Sequence, residues 1–184
     1  IFSNIFAHYA IDRFIKQNSK NLSSDHIHMV RYADDLVLCV NSKDAERVVS
    51  ALRERLERFS LKLNEEKTTV VNFSRNMAVK GIKQGTFKYL GFTFYLGKSR
   101  KGAMIVKIKT NKGTLNRKLR AMTVWCKKNR NKYRLSKLWK SFSAKIRGHI
   151  QYYGVSHNTE SMSKYVVEAR RIFFKWINRR SQKK

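Results

Sequence analysis

Apolar side chains recur along the first part of the chain at two different periods. From Asn4 to Gln17, Ile5, Tyr9, Ile11 and Phe14 fall at roughly helical spacing and predict an amphipathic helix. The polar run NSKNLSSD, residues 18–25, then reads as a loop. IHMVRYA and LVLCV follow, two short segments rich in Val, Ile and Leu that are joined through Asp34 and Asp35. They predict a β-hairpin with two carboxylates at its tip. Ser42 is a candidate N-cap with Asp44 in the first turn, and Val48, Val49, Leu52, Leu56 and Phe59 continue a helix to about Ser60. Strands are predicted at Thr68–Phe73, across TFKYLGFTFYLG and at AMIVKIK. Gly91 inside the second of these predicts a bend or a close backbone approach.

From Thr114 the period becomes helical throughout. Leu115, Leu119 and Met122 mark one helix. Leu138, Phe142, Ile146, Ile150 and Tyr153 mark a second, and Met162, Val166, Ala169, Phe173 and Trp176 a third. Residues 129–133 and 154–158 read as the connections, and the chain has no proline to interrupt any of this. The fold class is α+β: a mixed sheet-and-helix part followed by an all-helical one.

Composition adds one large fact. Lys plus Arg total 41 against 12 Asp plus Glu, a formal net charge of +29. Self-repulsion on that scale points to a polyanionic partner, nucleic acid first. The charge is unevenly placed: residues 1–96 carry 15 basic and 10 acidic side chains, a net of +5, and residues 97–184 carry 26 and 2, a net of +24. The step predicts a domain boundary between 96 and 97, with the polyanion bound by the second domain. Between Lys127 and Arg147 every charged side chain is basic, whereas a merely solvated face mixes signs. Phosphate contact by Lys127, Lys128, Arg130 and Arg147 is therefore expected. No run of eighteen apolar residues and no signal-like segment is present, so a cytoplasmic or organellar-matrix protein that is neither secreted nor membrane-bound is expected. Cys39 and Cys126 lack metal-ligand spacing and read as small buried apolar residues.

Two adjacent carboxylates at a hairpin tip repel one another unless a cation sits beside their oxygens. Magnesium, a hard ion that takes oxygen ligands and accompanies phosphate substrates, is the natural partner. In a two-metal scheme such ions activate the attacking oxygen and stabilise the leaving one. Taken by itself, an aspartate pair in a turn is a weak signal, because Asp-rich turns are common and mostly solvated.

The surrounding residues sharpen it. NIFAHYAID, VRYADDLVL, LKLNEEKT, FKYLGF, IRGHIQYYG and FKWINRR, in that order, resemble the group II intron-encoded reverse transcriptases, or intron maturases. The first four blocks resemble the later part of the fingers–palm region and the last two the thumb, also called the maturase or X domain. The resemblance implies a partial reverse-transcriptase palm over residues 1–96, an antiparallel sheet with the YADD hairpin and helices, then a basic helical thumb over 97–184. It implies that Asp34 is the metal-binding carboxylate and Asp35 its supporting neighbour. Tyr32 would lie beside the primer terminus, Lys67 matches a palm lysine, and Leu90 and Gly91 match the turn that holds the primer strand. Arg147 and Tyr153 fall in the thumb block and would bind nucleic acid. The implied partners are intron RNA, an RNA template, a DNA primer and, for the intact parent, dNTPs. The implied cofactor is Mg²⁺ in a two-metal site completed by an aspartate not in this chain. That aspartate, the fingers and a PQG-like segment are expected upstream of Ile1, which makes the chain a C-terminal fragment expected to be inactive alone.

Plainer readings stand beside these. Trp125, Trp139 and Trp176 read as core anchors rather than base-stacking platforms. His26 and His28 read as solvated, with no third ligand in view. KGIKQG and GKSRKG lack phosphate-loop spacing and read as hairpin turns. Of the adjacent Tyr152 and Tyr153, one should pack inward and one outward. At the level of function the alternatives are a non-catalytic basic RNA-binding module that acts as a splicing cofactor, and a ribosomal-type module unrelated to polymerases. The retained YADD argues against the last.

Overall fold

The structure, a computed structural model, describes residues 2–180, and the chain divides into two compact units, Ile1–Asn72 and Phe73–Lys184. The first unit begins with a continuous helical segment: α1 (Phe2–Ala7), a π-helical turn (His8–Asp12) and α2 (Arg13–Leu22). The predicted helix thus runs to Leu22, and the NSKNL part of the expected loop is helical. Leu22 is buried in the core and holds that last turn in place. The hairpin follows as β1 (His28–Tyr32) and β2 (Asp35–Cys39), antiparallel, with Val30 opposite Val37. Next come a 3₁₀ turn (Ser42–Asp44) and α3 (Ala45–Glu57). Asn41 rather than Ser42 caps this entry, its side chain accepting from the Lys43 N–H.

Ile15, Leu22, Ile27 and Val48 form the core of the unit, with Phe14, Met29 and Leu38 packed against it. Asp44 fastens the chain entering β1 to α3 by accepting from the Ser24 N–H at 2.9 Å and from the Ser23 and Ser24 hydroxyls. Those bonds to the carboxylate hold Asp44 below the usual carboxylate range, the Ser24 backbone contributing most. Cys39 is exposed, against expectation, because it stands on the open face of the hairpin with His28 opposite.

The second unit opens with α4 (Arg75–Val79), a short helix capped by Ser74, and a meander of β3 (Phe87–Tyr89), β4 (Phe92–Lys98) and β5 (Met104–Thr110). Three expectations change here. Thr68–Phe73 is not a strand: among the described residues no neighbour offers it a ladder, and β-branched residues without a partner stay irregular. TFKYLGFTFYLG is two strands, because Leu90 and Gly91 reverse the chain. KGIKQG follows a helix instead of joining two strands, whereas GKSRKG does turn β4 into β5. The compositional step at 96/97 lies inside β4, so it does not divide compact units; charge follows surface, and packing runs across it.

Three helices complete the unit: α5 (Lys112–Asn129), α6 (Leu135–Tyr153) and α7 (Thr159–Ile177), close to their predicted spans. Leu115, Met122, Cys126, Leu138, Phe142, Tyr165, Ala169 and Phe173 form the core, with Trp125 and Trp176 packed on its rim. Trp139 is half-exposed and covers Phe142 and Phe173 from outside, so it is a lid on the core rather than an anchor in it. Asn158, 1 % exposed, ties sheet to helices: it accepts from the Thr110 N–H at 2.7 Å and donates to the Tyr153 carbonyl at 2.7 Å. Among the described residues no helix is long and apolar enough to cross a membrane.

Candidate functional site

In the first unit Tyr32 pairs with Asp35, which leaves only Ala33 and Asp34 at the tip of the hairpin. Ala33 has φ 53°, a left-handed conformation that costs a residue with a β-carbon about 1 kcal/mol. Arg31, the last but one residue of β1 and only 12 % exposed, secures this turn. Its Nη1 donates to the Ala33 carbonyl at 2.9 Å, while Nε and Nη2 donate to the two Asp12 oxygens at 2.7 and 2.8 Å. The fork therefore clamps the hairpin tip to the π-helical turn, and this two-pronged geometry is one that lysine cannot supply. The Arg31 hydrogen bond holds the Asp12 carboxyl below its ordinary range, outweighing the opposing effect of burial.

Asp34 and Asp35 are both exposed, and among the described residues neither carboxylate has a hydrogen-bond or ion-pair partner. Unpaired oxygens on a clamped turn suit a hard cation such as magnesium, so the donor chemistry fits. Two carboxylates are an incomplete set, and among the described residues no cluster of three acidic, His or Cys side chains forms. Tyr32 is exposed beside them. Lys67 is exposed in the turn of residues 65–67, its N–H bonded to the Asn64 carbonyl. The His26 and His28 rings meet edge to face at 5.0 Å, both exposed.

In the second unit Leu90 and Gly91 form a two-residue turn with φ 48° and 80° between Tyr89 and Phe92. The end of α6 grips it. The Tyr152 hydroxyl donates to the Leu90 carbonyl at 3.1 Å. The Tyr153 hydroxyl lies 2.8 Å from where a β-carbon on Gly91 would stand, so only glycine fits. Tyr153, expected to bind nucleic acid, is instead buried against protein at 6 % exposure because it packs on the Leu90–Gly91 turn, while Tyr152 is half-exposed. Arg147, Lys127 and Lys128 are exposed. Arg130 is half-buried, its guanidinium 5.2 Å from the Trp176 ring centroid. Neither α5 nor α6 contains an acidic residue, and among the described residues of this unit ion pairing is confined to Arg171 with Glu168 on α7.

The sequence profile of the reverse transcriptase (RNA-dependent DNA polymerase) family matches residues 1–94, just over half of the chain. The chain belongs to the reverse transcriptase family. No curated protein sequence matches it. The matched region contains the aspartate hairpin, the Asp12–Arg31 clamp and the Leu90–Gly91 turn.

Sequence reasoning passed over the two residues of this chain that secure the hairpin tip, Asp12 and Arg31. A signal was available: an arginine within a strand otherwise built for burial needs an acid, and Asp12 is the one acid of the preceding helical segment.

It also passed over His149, on α6. This imidazole is 6 % exposed, stacks on Tyr165 at 3.5 Å between centroids, and has a buried Nε2 without a partner. Burial, helped by the charge of Lys118, pushes its pKa down to about 4. The unfolded chain therefore takes up a proton near pH 6.5 that the folded one refuses until about 4. Stability from this group is complete above about pH 6.5. It is expected to fall by roughly 2–3 kcal/mol as the pH drops to 4. Urea denaturation across that range checks this, and His149→Phe should flatten the slope; an equally steep slope in the variant would refute the assignment.

Proposed function

We propose that the chain is part of a group II intron-encoded reverse transcriptase, with the hairpin of Asp34 and Asp35 as its catalytic hairpin and the basic helices as its thumb. The observation that carries the reading is a pair of exposed carboxylates, one on a clamped two-residue tip and one on the first strand residue after it, neither with a side-chain partner among the described residues, inside the region that matches the reverse transcriptase family. The order of the six sequence blocks supports the intron-encoded branch, and residues 1–96 and 97–184 are the proposed palm and thumb portions.

In this reading Asp34 binds magnesium and Asp35 supports it, with a further aspartate from outside these 184 residues completing the ligand set. The metal supplies charge neutralisation at the transferring phosphoryl group. Tyr32 is proposed to border the primer terminus, and Lys67 to contact the nucleic acid backbone. Leu90 and Gly91 are proposed to carry the primer strand, a role the grip of Tyr152 and Tyr153 would steady. Lys127, Lys128, Arg130 and Arg147 contact RNA phosphates, which positions the RNA without reading its sequence.

A second role in the same protein, a maturase that helps an intron fold and splice, is favoured by the acid-free helices α5 and α6. Joining the chain to a complementary front half of the family fold and assaying a primed RNA template tests the polymerase reading. The joined protein is expected to extend the primer with dNTPs and Mg²⁺, and the 184-residue chain to incorporate none while still binding intron RNA. Incorporation by the chain alone would overturn the proposed site composition.

A further inference from the structure

In the second unit α5 and α6 both pack on α7 but make little direct contact with each other. A cleft of about 650 Å³ opens between them. Its floor is Met122, His149 and Tyr165, two of them aromatic and stacked on one another. Its mouth carries Arg117, Lys118 and Lys145, together with the Trp125 and Tyr152 rings. Lys145 Nζ lies 5.2 Å from the Trp125 ring centroid.

Two features are hard to explain by packing alone. His149 lines this cleft, and its Nε2 is buried with no hydrogen-bond partner among the described residues, a state that costs a fold stability unless something meets it. Gly148 stands in the middle of α6, where glycine weakens a helix relative to alanine. A β-carbon there would meet nothing within 4 Å, so no close packing demands the glycine; its missing side chain widens the cleft.

We propose that the α5–α6 cleft receives one unpaired nucleotide of a nucleic-acid strand, its base against Trp125 and Tyr152 with an edge toward His149, and its phosphate held by Arg117, Lys118 and Lys145. Aromatic faces beside cations are the chemistry that holds an unstacked base and its phosphate. A fully paired helix has no free base to offer, so the cleft discriminates by structure of the strand rather than by sequence. The inference rests on the nucleic-acid reading of the basic helices, and it adds a ligand state that general phosphate attraction does not distinguish.

The test measures binding of the 184-residue chain to two hairpin oligonucleotides, one fully paired and one with a single unpaired 2-aminopurine, each made in RNA and in DNA. The unpaired base is expected to tighten binding about tenfold and to lose fluorescence as it stacks. Preference in RNA, DNA or both supports the cleft and identifies its strand. Gly148→Leu, which fills the cleft and should raise the melting temperature, is expected to make bulged and paired forms bind alike. His149→Phe, which keeps the stack and removes Nε2, is expected to reduce the preference without loss of fold. Equal binding of bulged and paired forms by the parent chain overturns the cleft alone; binding of neither overturns the nucleic-acid reading as well. A preference that survives Gly148→Leu in a folded protein also overturns it.

Discussion

Asp34→Asn, in a polymerase completed by joining the chain to a front half, is expected to lower RNA-templated cDNA synthesis by about three orders of magnitude or more. The reasoning is one of charge. Asparagine keeps the shape of the side chain but replaces one anionic oxygen with an amide, and a metal ion at a phosphoryl-transfer site supplies several kcal/mol of transition-state stabilisation. Asp34 is exposed at the hairpin tip and its side chain makes no bond among the described residues, so the substitution should leave the melting temperature within the small range of ordinary surface changes. Asp35→Asn should cost less, in keeping with its supporting part. Primer extension with Mg²⁺, alongside thermal melting and intron-RNA binding of the same variants, reads all three effects. An Asp34→Asn enzyme within tenfold of the parent rate, with the fold intact, would remove Asp34 from the metal site.

RNA binding by the 184-residue chain is expected to weaken by about a thousandfold between 50 and 200 mM monovalent salt, as six or so phosphate contacts require. The basis is the surface of α5 and α6, where basic side chains have no acid on their own helices. Such charges exchange condensed counterions for protein when RNA binds, and added salt opposes that release. Lys127→Gln with Lys128→Gln should lower the slope of log K against log salt by about one to two. Arg130 is expected to matter less than either, since its guanidinium is committed to the Trp176 face and to the Arg179 carbonyl. A slope near zero, measured by filter binding or fluorescence anisotropy, would mean that the basic helices do not contact phosphate.

The helical half was the more legible part of the chain. Leu115 to Met122, Leu138 to Tyr153 and Met162 to Trp176 repeat at a period that only one secondary structure satisfies, and helix bonds are local. Strand reading fared unevenly for the opposite reason. VRYADDLVL carries its own partner across a two-residue tip and was recognisable. Thr68–Phe73 has equal β-propensity and no partner, so it forms no strand. TFKYLGFTFYLG contained its turn in plain view, because a glycine preceded by a residue able to take positive φ is a hairpin signal; the alternation around it masked the reversal. Cys39 and Trp139 were placed inside by residue type alone, and residue type does not say which face of an element meets the core.

The sequence by itself determined the charge, the two aspartates and their flanking apolar strands, and the motif order that pointed to a reverse transcriptase, since these depend only on neighbours along the chain. Tertiary structure decided which groups support the site. Arg31 is nineteen residues from Asp12 and two from Ala33, and only folding makes it one clamp on both. Tyr152 lies sixty-two residues from Leu90, yet their bond holds the turn. His149 is buried, and a cleft lies beside it, because α5 and α6 both pack on α7 with little direct contact between them. Burial and long-range hydrogen bonding are properties of pairs brought together in space, and no pattern of neighbours encodes them directly.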